Sequence, residues 1–209
     1  MVTVEAMSAV APADEVVDAW WNHWPYFKLS VVLFLVGSII GAILITIGVD
    51  LFAALGFEEI GDALPDEITT MTILVNNTVV FLLALVGLFS FGLLSALILV
   101  FNGVVVGYVV LPAIQEVGIG FAIVAIVPHG IPELSAFFVA TAVVFRLLHR
   151  FIQMIRDQRE RLLDPGDGRR IGLLLVVAWI VLAVAAVIEA TVTFWLVETL
   201  YPEPTGIGV

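Results

Sequence analysis

Between Thr72 and Glu116 the chain carries no charged side chain. As a single helix, residues 72–116 would extend about 68 Å at ~1.5 Å per residue, whereas roughly 20 residues cross a ~30 Å hydrocarbon core. The stretch must therefore cross a bilayer twice, and the cluster of Gly92 with two serines places the turn near Ser90–Ser95. Three more apolar runs flank it: Leu29–Val49, Gly118–Phe145 and Ile171–Val197. The last would be about 40 Å long as helix and should tilt or project beyond the membrane. With 62% hydrophobic residues and a mean hydropathy of +1.16, the chain does not have the composition of a soluble domain. The expected fold is all-α, a polytopic membrane bundle of five transmembrane helices.

Charge orders the spans. All seven arginines lie between Arg146 and Arg170, and the single lysine, Lys28, precedes the first span. Positive charge marks the cytoplasmic side. With 72–116 crossing twice, four spans separate Lys28 from Arg146 and both fall inside. The loop 50–71 then lies outside with six acids (Asp50, Glu58, Glu59, Asp62, Asp66, Glu67), as does the acidic tail 198–209. The division is a cytoplasmic segment 1–28, a transmembrane domain 29–197 with a basic inner loop 146–170, and a short external tail. No secretory signal is expected at the N-terminus, where Glu5, Asp14, Glu15 and Asp18 stand without a basic region. Nineteen acids against eight bases point to a halophile, and no basic stripe suits nucleic acid. The absence of cysteine excludes disulfides and thiolate metal sites.

Two flanking segments look interfacial. In Asp14–Trp24 the apolar residues Val16, Val17, Trp20, Trp21 and Trp24 recur at helical spacing, opposite Asp18, Asn22 and His23. This predicts either an amphipathic helix lying on the cytoplasmic face or an aromatic belt opening span one; the first is the expectation adopted. Arg146–Leu163 should continue span four as an arginine-rich helix ended by Asp164-Pro-Gly-Asp-Gly, with topology as its role.

Six polar residues inside the spans need explanation: Asn76, Asn77, Asn102, His129, Glu133 and Glu189. Intramembrane ionisable groups are costly and face the bundle interior or a water cavity. His129 and Glu133, four residues apart, share a helix face. Pro128 and Pro132 lack N–H donors, and Gly130 allows close approach or an unusual dihedral, so Pro128–Glu133 is expected to interrupt the fourth helix. His129 and Glu133 should point inward, toward Asn76, Asn102 or Glu189. They act either as a staple between helices or as a proton or ion path. His129 and Glu133 alone are too few ligands for a metal site, no catalytic constellation is present, and no cofactor is expected. Gly37 with Gly41, and Gly103 with Gly107, are small-residue pairs that favour tight helix packing or self-association.

Several of these motifs, in order over residues 72–195, resemble the stage II sporulation protein M family. They are Asn76-Asn77, then Asn102-Gly103 with Gly107, then Pro128-His129-Gly130-Ile131 followed by Glu133-Leu134, and finally Glu189 with Thr193. The resemblance implies a five-span integral membrane protein without established catalytic activity. In spore-forming bacteria the namesake acts at the division septum with two partners that degrade peptidoglycan. The acidic, lysine-poor composition points instead to an archaeon, with neither spores nor that wall. The expected role is a scaffold or subunit of a membrane complex, in contact with the lipid bilayer and other membrane or cell-envelope proteins, with a homo-oligomer possible. The alternative is a transporter-like component.

Overall fold

The computed structural model describes residues 11–56 and 69–202 of the chain. Five helical stretches in it are long and apolar enough to cross a membrane, and no strand occurs among the described residues. The elements are α1 (Pro12–Thr46), the single turn α2 (Leu51–Ala54), α3 (Thr70–Val86), α4 (Leu93–Glu116), α5 (Ile119–Ile155), α6 (Asp167–Ile188) and α7 (Phe194–Leu200). A π-helical segment, Glu189–Thr193, joins α6 to α7 without a break. Of the six acids expected on the outer loop, Asp50 caps α2, and the other five lie outside the described residues.

The N-terminal segment differs from expectation. Among the described residues no separate interfacial helix exists: α1 is continuous for 35 residues and runs through Pro25. Pro12 sits in its first turn, where a missing N–H costs nothing, and Asp14 and Glu15 suit the positive helix end. The residues read as its polar face do not all meet water. Ala19, His23 and Ser30 are buried as one stripe against the bundle, so this end stands in the packing rather than lying across it. The aromatic residues of this end pack on one another, with Trp20 and Phe27 rings 4.9 Å apart and Trp24 stacked on Phe27 at 5.4 Å.

The hairpin between α3 and α4 turns slightly earlier than Ser90–Ser95. A 3-10 turn at Gly87–Ser90 leads into Phe91 and Gly92, both left-handed (φ 53° and 78°). Glycine takes that conformation at no steric cost. Ser95 Oγ then donates to the Ala84 carbonyl at 2.7 Å and locks the turn. Across the bundle, α4 packs on α1 along the two small-residue pairs. A Cβ on Gly37 would overlap the Val100 carbonyl, and one on Gly103 the Phe34 carbonyl. The pairs are thus spent within one chain, each on the other's helix.

Helix α5 is the axis. It packs against α1, α3, α4 and α6, and Ala136 to Arg146 are buried without interruption. Phe138 meets Phe27 and Phe34 edge-on at 5.6 Å, while Ser30 and Thr141 share a hydrogen bond of 2.8 Å at full burial. The arginine-rich extension of α5 stops at Ile155, not Leu163. The N-terminal end of α1, the C-terminal end of α5 and the start of α6 meet at one end of the bundle, through Glu15–Arg169, Tyr26–His149 and His23–Arg146.

Candidate functional site

The fourth span is not interrupted. Pro128 and Pro132 lie inside α5, which is continuous for 37 residues. Two prolines withdraw two donors, whereas a true break would leave several backbone groups unpaired at membrane depth, so the helix persists around them. Nor does Gly130 take a positive φ; a Cβ there would meet only the Ile126 side chain, at 3.2 Å.

What α5 delivers is one polar face. His129 and Glu133 come one turn apart, and Glu189 enters from the adjacent π segment. A histidine nitrogen and two carboxylate oxygens lie within 4.8 Å of one another, each residue half-buried. His129 Nδ1 and Thr193 Oγ1, at the far end of the π segment, share a hydrogen bond of 3.1 Å. A π turn shifts the helix register by one residue and recurs at functional sites. Here Thr191 Oγ donates to the Val187 carbonyl at 2.6 Å and supports the altered ladder. No fully buried side-chain polar atom among the described residues lacks a partner, and neither glutamate makes a hydrogen bond there, so both carboxyls border accessible space. A cavity of about 290 Å³ leads to this group, lined by Phe121, Ala125, His129, Glu189, Thr193 and Glu198 among others.

The asparagines stand elsewhere. Asn76 is exposed on α3 and Asn77 is buried beside it. Asn102 donates to the Ile98 carbonyl one turn back, at 2.8 Å. Neither Asn76 nor Asn102 is a partner of His129 or Glu133: Asn76 stays exposed on α3, and the Asn102 amide is satisfied by its own helix backbone.

The family model for stage II sporulation protein M matches residues 30–194, from α1 through the π segment. The chain belongs to the stage II sporulation protein M family. An uncharacterized protein of Methanocaldococcus jannaschii is 28% identical over 168 residues, 79% of this chain and 92% of that protein. No solved structure matches.

In this member of the stage II sporulation protein M family the arginine-rich end, expected to serve topology, forms a second polar group. Arg146 and Arg150 are buried, not solvated. Arg150 pairs with Asp167 at 2.5 Å and donates to the Leu162 carbonyl at 3.3 Å; Asp167 also accepts from the Asp164 N–H at 2.9 Å. Arg146 donates to His23 Nε2 at 3.3 Å, which leaves His23 Nδ1–H to donate to the Ala19 carbonyl at 2.6 Å. Glu15, buried, pairs with Arg169. The signal lay in the spacing: Arg146 and Arg150 sit four apart, in register with Ala142 and Phe138 on α5. A cation continuing a buried stripe needs an acid: Arg150 finds Asp167 and Asp164, beyond the nearer Asp157 and Glu160, while Arg146 meets His23.

Proposed function

We propose that this chain is a non-enzymatic integral membrane protein, a scaffold or subunit of a membrane complex, with the lipid bilayer and other membrane or cell-envelope proteins as its surroundings. The observation that carries the reading is the use of the chain: the other four spans wrap α5, glycines fix α1 to α4, and ion pairs fix the basic end. Such a body presents a fixed outer surface to neighbours. Because Gly37, Gly41, Gly103 and Gly107 face each other within one chain, they favour an unlike partner over a homo-oligomer built on those residues. The N-terminus is inside and the C-terminus outside, supported by the gathering of Lys28 and the seven arginines toward one end. The acidic composition and the relative in Methanocaldococcus jannaschii support a halophilic archaeal setting, in which the sporulation role does not apply.

The test is purification in mild detergent at high salt. A second protein co-eluting with the chain in fixed ratio through size exclusion is the expected result. A second reading, a transporter-like component with a proton or ion path, is favoured by the convergence of His129, Glu133 and Glu189. Recovery of the chain alone, with pH-dependent ion flux in liposomes, would replace the first reading with the second.

A further inference from the structure

We propose that His129, Glu133 and Glu189 bind a single divalent transition cation between α5 and the π segment. Three observations converge on this. The first is the donor set: one imidazole nitrogen and two carboxylate oxygens within 4.8 Å of one another. An ion centred among atoms at most 4.8 Å apart sits no more than about 2.8 Å from each, and at most roughly 0.6–0.8 Å of movement by each side chain reaches the ~2.0–2.2 Å of a transition-metal bond. The donors come from two helical segments, Glu189 standing 56 positions beyond Glu133.

The second is charge. Two neighbouring carboxylates at membrane depth are costly without a counter-charge, and a doubly charged cation cancels both. Neither Glu133 nor Glu189 has a lysine or arginine partner among the described residues, whereas Arg150, Arg159 and Arg169 are each matched to an acid at the other polar group. Imidazole among the donors selects first-row transition ions over Mg²⁺, which prefers an all-oxygen, hydrated shell.

The third is support and access. Thr193 Oγ holds His129 Nδ1, fixing the ring as an outer-shell partner does and leaving Nε2 for the ion. The cavity runs along one face of α5, through Phe121, Ala125 and His129, and is also lined by the exposed Glu198, whose carboxylate would raise the local cation concentration. A water or a residue of a partner would complete the shell.

This inference goes beyond the scaffold reading, and its failure would leave that reading where it stands. The experiment uses the full chain carrying a non-histidine affinity tag, stripped with chelator in detergent and titrated with Co²⁺. Expected are visible d–d bands that saturate at one Co²⁺ per chain and are displaced by one equivalent of Zn²⁺. The E133Q/E189Q variant should lose at least tenfold in affinity while its far-ultraviolet circular dichroism is unchanged. Elemental analysis of the wild type after size exclusion stands independently of how the variant folds. Fewer than a tenth of the chains retaining Zn²⁺ would overturn the proposal, as would a folded E133Q/E189Q variant with the wild-type Co²⁺ spectrum.

Discussion

Gly107 on α4 rests so closely on Ser38 of α1 that a Cβ there would stand 2.7 Å from the Ser38 carbonyl carbon and overlap its oxygen. The contact is backbone on backbone, which no rotamer change can relieve. Gly107→Leu should therefore lower stability in detergent by about 3 kcal/mol or more, near the upper end of overpacking penalties. Gly172→Ala on α6 is the matched control, since a Cβ there meets nothing within 4 Å. Replacing that helical glycine should be neutral or stabilise by about 0.5–1 kcal/mol. Thermal melts of the two variants check the pair.

Arg150 and Asp167 form the ion pair that anchors the basic end, with both side chains only about a tenth exposed (10% and 9%). Breaking a buried pair from one side leaves a charge short of its partner; Arg150 keeps only the half-exposed Asp164, at 3.7 Å, so Asp167→Asn should cost about 3 kcal/mol, the lower end for such pairs. The double change Arg150→Met with Asp167→Asn removes both charges and should recover most of that loss. Chemical denaturation of the single and double variants measures the difference.

The spans were legible because bilayer thickness and charge parity are one-dimensional constraints: an uncharged run such as 72–115 admits two crossings and little else. What was not legible is local backbone response and long-range convergence. Pro128 and Pro132 read as a break, yet two missing donors cost less than the opened backbone that would replace the helix. Trp20, Trp21 and Trp24 read as an interfacial face, while the decisive stripe was the unremarked Ala19 and Ser30 flanking His23. At the candidate site, the His129–Glu133 spacing put both on one helix face, but which of Asn76, Asn102 and Glu189 would meet them depends on helix packing that the sequence does not encode locally. The arginines were visible as charges; the burial of Arg146 and Arg150 was signalled only by their register with Phe138 and Ala142.

Ser30 and Thr141 share the fully buried hydrogen bond between α1 and α5. A double-mutant cycle with Ser30→Ala and Thr141→Val should give a coupling of about 0.6 kcal/mol, and no more than about 1.7, the range found for such bonds inside membrane proteins. The modest size is expected because Thr141 retains the Phe137 carbonyl, at 2.9 Å, as an acceptor.

Orientation is open to a direct reading. A reporter that works only outside the cytoplasm should be active when fused after Val209 and silent when fused in the turn following Ile155. The reverse pattern would contradict the inside placement of the arginine-rich end.

Glu133 offers the sharpest separation between a staple and a working site. Its carboxyl makes no hydrogen bond among the described residues and lies close to Glu189. An amide of the same shape removes the like-charge neighbour and sacrifices no bond, so Glu133→Gln in chelator should melt at or above the wild-type temperature. Groups kept at the expense of stability are the mark of functional positions. Added Zn²⁺ should then raise the melting temperature of the wild type and leave the variant unmoved, since a ligand stabilises only the state that binds it. A variant that in chelator loses more than about 1 kcal/mol, the scale of an interhelical hydrogen bond, would show that the Glu133 carboxyl itself holds α5 to the π segment.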